Sequence, residues 1–173
     1  MNPKKILPFF IAACLIGWGL YAASTVTVVV LINDEGDEKF SFSPPGGHFT
    51  VRFMHSWAMS PVYELFQIDR ENNIILKGAI SEDIGAGLPH SPESGHAAPS
   101  MTIEGGKIHI RGIDRIIPDL QIRTGRTVAA HTLVYGDKLV PFSDFAAPGS
   151  VVIFRVQSIR RYALWVQKIK DSI

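Results

Sequence analysis

The sequence predicts an all-β body, an antiparallel β sandwich or partly open barrel, behind one N-terminal transmembrane helix. Three observations predict it. The chain opens on an apolar stretch, and residues 6–32 carry no charged side chain. Short β-branched or alternating runs follow, separated by Gly/Pro-rich turns, which is the pattern of a sandwich or barrel. No strand–helix alternation of the kind that builds a parallel sheet is present.

Lys4 and Lys5 precede the apolar stretch, which is strongest over residues 6–23. A helix there is about 27 Å long at ~1.5 Å per residue, close to the ~30 Å hydrocarbon core of a bilayer. The lysines place the N-terminus in the cytoplasm. Trp18 and Tyr21 fall toward the far end, where interfacial aromatics belong. Residues 1–24 therefore read as a retained anchor. A cleaved signal peptide is the alternative, because Ala22-Ala23-Ser24 offers small residues at a cleavage site. A lipoprotein is the third reading. Ile11-Ala12-Ala13-Cys14 looks like a lipobox, but Leu15-Ile16-Gly17-Trp18 is no polar tether. All three export the rest of the chain. The expectation is a single pass in the cell inner membrane, with the lipid bilayer as a partner, the N-terminus cytoplasmic and the domain periplasmic or otherwise extracytoplasmic.

Residues 25–157 are expected to form the β-domain. Residues 25–30 are almost all β-branched, which favours a strand over continued helix. Residues 38–43 are a second run, closed by Pro44-Pro45-Gly46-Gly47. In residues 48–55, Phe49, Val51, Phe53 and His55 share one face and His48, Thr50, Arg52 and Met54 the other. In residues 62–69, Val62, Glu64, Phe66 and Ile68 share a face. A polar turn leads to a run at 74–80. Glu104-Gly105-Gly106-Lys107 and Tyr135-Gly136-Asp137-Lys138 read as hairpin turns, and runs at 127–135 and 150–157 complete about nine strands. Residues 158–173 read as a basic amphipathic tail, helical in spacing, packed on the domain or lying on a membrane surface.

Composition bounds the function. Seventeen Lys and Arg against sixteen Asp and Glu leave a net charge of +1, so the chain lacks the basic footprint of a nucleic-acid binder. The single cysteine, Cys14, excludes an internal disulfide framework and a Cys-based zinc site. Nothing implies a cofactor.

His55 and Glu64 are the most informative polar pair, because each sits on the apolar face of its run, where an unpaired charge is costly. A hairpin centred between Met59 and Ser60 sets them opposite each other, within reach of a hydrogen bond. They serve hairpin register, a ligand or metal site, or catalysis. A Ser56–His55–Glu64 triad fails, since adjacent strand residues point to opposite faces and no G-x-S-x-G elbow is present. Gly85 and Gly87 in GAGLP permit close backbone approach, as an anion site or simply a tight turn. His90, Glu93 and His96 in the PHSPESGHAAPS loop, together with His55, offer imidazole and carboxylate ligands for zinc or form a solvated polar loop; the spacing matches no known zinc motif, so no metal site is assigned. Arg115, Arg123 and Arg126 form a solvated charge run or a carboxylate clamp. His48, His109 and His131 read as surface or edge residues.

From residue 49 to 156 the chain resembles an uncharacterised bacterial family, domain of unknown function 1850. The carrying residues are Phe53-Met54-His55-Ser56, then Pro61-Val62-Tyr63-Glu64, then Gly85-Ala86-Gly87-Leu88-Pro89. Weaker matches are Gly112-Ile113-Asp114-Arg115, Gly125-Arg126 and Pro148-Gly149-Ser150. Many members continue His-Ser with Val-Glu; here Trp57-Ala58 stands instead, so a carboxylate of that loop is missing. Members tend to accompany TAXI-type tripartite ATP-independent periplasmic (TRAP) transporters. The resemblance thus implies a non-enzymatic accessory role, with the transporter's membrane or solute-binding subunits as partners. The alternatives are a small-ligand module lined by His55, Ser56, Glu64, Gly85, Gly87 and Arg115, and a metal-dependent hydrolase.

Overall fold

A computed structural model describes residues 3–56, 58–82, 99–125 and 130–164, with the side chains of the first helix described from Ile11 onward. That helix, α1 (Pro3–Ala23), has 21 residues. Among the described residues no helix is long and apolar enough to cross a membrane, so the expected transmembrane helix is not found there. The chain divides into two compact units, one of residues 1–27 with 158–173 and the other of residues 28–157.

In the first unit the end of α1 is tied to the end of the chain. The last carbonyls of a helix lack intrahelical donors. Here Arg160 Nη1 donates to the Ala23 carbonyl, and the Arg161 backbone N–H donates to the Ser24 carbonyl at 2.9 Å. Arg161 Nε also donates to Ser24 Oγ at 3.0 Å, and its guanidinium lies 4.8 Å from the centre of the Tyr21 ring. Two cations thus sit where the helix dipole is negative. Beyond Arg160 the chain is helical over residues 161–164.

The second unit is a sandwich-like pair of sheets, with strands β1 (Thr25–Asn33), β2 (Glu38–Phe42), β3 (His48–Met54), β4 (Pro61–Ile68), β5 (Ile74–Ser81), β6 (Ser100–Glu104), β7 (Lys107–Ile117), β8 (Leu120–Arg123), β9 (Thr132–Tyr135), β10 (Lys138–Pro141) and β11 (Val151–Arg160). Both β1 and β11 run on into the first unit. One sheet has the order β2-β1-β11-β8 and the other β10-β9-β3-β4-β5-β7-β6. Eleven strands among the described residues exceed the nine expected. The four-residue β8 is too short to show a period, and β9 covers the last four residues of the run expected at 127–135, of which residues 127–129 lie outside the described residues. Both expected hairpins form. Glu104 pairs with Lys107 across Gly105 and Gly106, both at positive φ, and Tyr135 pairs with Lys138 across Gly136.

The principal core lies between the sheets. Val29, Leu31, Phe42, Val152 and Phe154 of the smaller sheet meet Phe49, Val51, Phe66, Leu76 and Leu133 of the larger. A second cluster, Val62, Ala79, Ile108 and Ile110, continues the inner face of the larger sheet.

Two irregularities join these clusters. In β5, Lys77 is an extra residue, since Leu65 pairs with Gly78 while Phe66 pairs with Leu76. In β7, Gly112, Ile113 and Asp114 occupy the interval between the pairs Gly78–Arg111 and Leu76–Arg115. Gly112 and Asp114 both adopt positive φ. Lys77 and Asp114 form an ion pair at this step. Gly78 is required here: a Cβ on it would stand 2.4 Å from the Ile110 carbonyl oxygen. Gly78→Ala is therefore expected to lower stability by about 1–3 kcal/mol, the usual cost of overpacking, measured by urea unfolding. An unchanged midpoint would show that the two strands do not approach this closely.

Candidate functional site

Glu64 lies in the middle of β4, on its inward face. Val62 and Phe66, two positions either side, are 1% and 2% exposed. Across the sheet its neighbours are Val51 on β3 and Ala79 on β5, both buried. The expected face of β4 is therefore the face found, and a carboxylate stands between the two apolar clusters. Burial raises the Glu64 pKa above the ordinary carboxylate value, and the charge of Arg115 opposes that rise. Arg115 reaches the same face because it pairs with inward-facing Leu76, but its own side chain is exposed. The arrangement is an acid whose hold on its proton is strengthened by burial in an apolar wall, with one arginine nearby.

His55 is not part of it. The hairpin pairs Met54 with Pro61 and Val51 with Glu64, so the expected His55–Glu64 opposition does not form. His55 lies four positions beyond Val51, about 13 Å along an extended chain at ~3.3 Å per residue. Its turn fixes the register. The His55 N–H donates to the Ser60 carbonyl at 2.9 Å, and the Met59 N–H donates to the His55 carbonyl at 2.8 Å. The Ala58 N–H donates to His55 Nδ1 at 3.1 Å, so the imidazole satisfies the turn backbone. Met59 completes it at φ 50°. Ser56 is an exposed residue of the same turn, away from Glu64's row.

The remaining candidates separate. Gly85, Gly87, His90, Glu93, His96 and Arg126 lie outside the described residues. Arg123 is on β8 of the smaller sheet and donates to the Gly149 carbonyl at 3.0 Å, whereas Arg115 is on the larger, so these two form no clamp. No group of three potential metal ligands is found among the described residues. An open groove of about 550 Å³, lined in part by Lys39, Asp144 and Phe145, contains none of the predicted site residues.

His131 corrects its expected surface placement. Its ring lies 5.4 Å from Phe53 and 5.5 Å from Phe142, packed between two aromatics just before β9. Sequence reasoning also missed the Lys77–Asp114 step. The nearby Gly112-Ile113-Asp114 breaks the alternation begun by Ile108 and Ile110, but by itself it does not mark a step shared with β5. On the outer face, Glu104 is held down to about 2, first by its hydrogen bond from Arg111.

Fold and site together define an antiparallel β-sandwich domain with an acidic residue in its inner wall. The chain belongs to the family described as Domain of unknown function (DUF1850), whose model matches residues 49–142. That stretch holds the larger sheet except for His48, and β8 of the smaller. No curated protein and no solved structure matches the chain.

Because Glu64 carries a raised pKa when folded, the folded state holds its proton to higher pH than the unfolded chain does. Stability then falls as pH rises from the ordinary carboxylate value through the raised one. Glu64→Gln should unfold at higher denaturant than wild type at neutral pH, with the gap closing in acid. A constant gap would contradict the burial. His55→Ala should cost about 0.5–1.5 kcal/mol through its turn bond. Its loss should add to the effect of Glu64→Gln within about 0.5 kcal/mol, as for separated sites; a larger coupling would restore the direct pair.

Proposed function

We propose that this chain is a non-enzymatic, membrane-tethered extracytoplasmic accessory protein that serves a TAXI-type TRAP solute transporter. The observation that carries the tether is the surface of α1. Ile11, Leu15, Ile16, Trp18, Leu20 and Tyr21 are between 50% and 70% exposed. A helix with apolar side chains on every side suits hydrocarbon rather than water. Lys4 and Lys5 at its start favour a cytoplasmic N-terminus. Trp18, Tyr21 and the paired Arg160 and Arg161 at its end suit a membrane–water boundary. The domain is then periplasmic. The transporter rests on family membership and on the company that members of the family keep. Its solute-binding or membrane subunits are the partners.

A second reading is favoured by one observation: Glu64 and Arg115 place opposite charges near the second apolar cluster. That combination suits a small ligand with both a cationic and an anionic group.

The tether is tested first. The full chain should sediment with membranes and resist carbonate extraction. Leu15→Asp with Leu20→Asp should release it, since each acid at a bilayer-embedded helix position costs about 2.5–3.5 kcal/mol. Extraction of the wild type by carbonate would sink the tether. The partner is tested by affinity purification from detergent extracts: recovery of TRAP subunits with the wild type supports the reading, and their absence contradicts it.

A further inference from the structure

The four sheet edges of the sandwich are not equally protected. Exposed edges carry unpaired backbone groups, and proteins blunt them with bulges, charges, proline or brevity. At β2 the register slips between Leu31 and Ile32, which leaves Lys39 without a register partner on β1, and Glu38 stands beside it. At β10 the strand carries Lys138 and ends on Pro141. At β8 only four residues are present, and the last is Arg123. The last edge among the described residues, β6, is five residues long and follows Pro99, but within the strand it has no register slip, no proline and no cation, and its one charge, Glu104, is already engaged by Arg111 Nη2 at 2.8 Å. All five β6 residues pair with β7 in unbroken register. On the inner face, Met101 is 60% exposed and Ile103 is 71% exposed, beside the buried Ile110 and Ile108 with which they pair.

We propose that the β6 edge is a homodimerisation site, at which β6 pairs antiparallel with β6 of a second copy about a two-fold axis through Thr102. The argument for a second copy is self-complementarity. In that register Met101 opposes Ile103 of the second copy, and the reverse, so both exposed apolar side chains are covered. Thr102 opposes Thr102, a favourable cross-strand pair. Ser100 opposes Glu104 of the second copy, so no like charges meet. The contact closes on itself, as an isologous interface must. It joins two larger sheets through one strand pair, less area than the ~1,600 Å² of a standard interface, so the dimer is weak and concentration-dependent.

Disulfide trapping tests this in the full chain, in native membranes, with Cys14→Ser as background. Thr102→Cys should give a dimer band under mild oxidation about tenfold faster than Leu139→Cys on the β10 edge, because only the former is held in proximity. Met101→Cys and Ile103→Cys chains should cross-link faster when mixed than either does alone, which reads the register. Ile103→Lys in the Thr102→Cys background should abolish the band while leaving the unfolding midpoint in place. Equal rates at Thr102 and Leu139, a band whose mass shows a different protein, or no gain on mixing would each overturn the proposal.

Discussion

The close approach of β5 to β7 at Gly78 governs how the larger sheet presents its residues. A regular strand alternates faces with a period of two, and an inserted residue reverses that alternation. In β5 the inward residues are Ile74 and Leu76, then Ala79 and Ser81, and the extra Lys77 makes the switch. In β7 they are Ile108 and Ile110, then Arg115 and Ile117, and the switch falls at Gly112–Asp114. The two reversals lie side by side, so both strands keep their apolar residues inward on each side of the step. β4 has no such reversal, and Val62, Glu64, Phe66 and Ile68 run along one face. Ala79 consequently lies beside Glu64, and Arg115 falls in register with the inward-facing Leu76 while its side chain stays exposed.

That step also explains which features were legible in the sequence. The alternation of β3 and β4 was readable because neither strand is interrupted within its paired length. The two glycine hairpins were readable because positive φ at those positions selects glycine. The β5–β7 step was not readable. An isolated Gly78 in an apolar run signals a bulge or a close approach without saying which, and the need for it lies in the Ile110 carbonyl of another strand.

The His55–Glu64 pairing failed for a related reason. Both residues are polar on apolar faces, and alternation alone allows registers that differ by an even number of residues, here the four between His55 and Val51. The turn decides between them. His55 spends its Nδ1 and its backbone groups on residues 58–60, so it belongs to the turn rather than to the strand. Glu64 therefore meets Val51 and Ala79 and loses the only histidine the sequence offered it. Its charge relation is to Arg115, some fifty positions later, a pairing that no local pattern carries. At the ends of the chain the apolar run of α1 was legible, but β11 runs on to Arg160, past the expected boundary at 157, and the contacts of Arg160 and Arg161 with Ala23, Ser24 and Tyr21 were not legible.

The paired reversal is the claim on which the placement of Glu64 and Arg115 depends. Cross-strand backbone nuclear Overhauser effects on isotopically labelled protein measure it directly. The account predicts contacts of Gly78 with Arg111 and of Ala79 with both Glu64 and Ile110, alongside Leu76 with Arg115. An unbroken ladder running from Leu76–Arg115 to Gly78–Ile113, with Glu64 opposite Gly78, would contradict it.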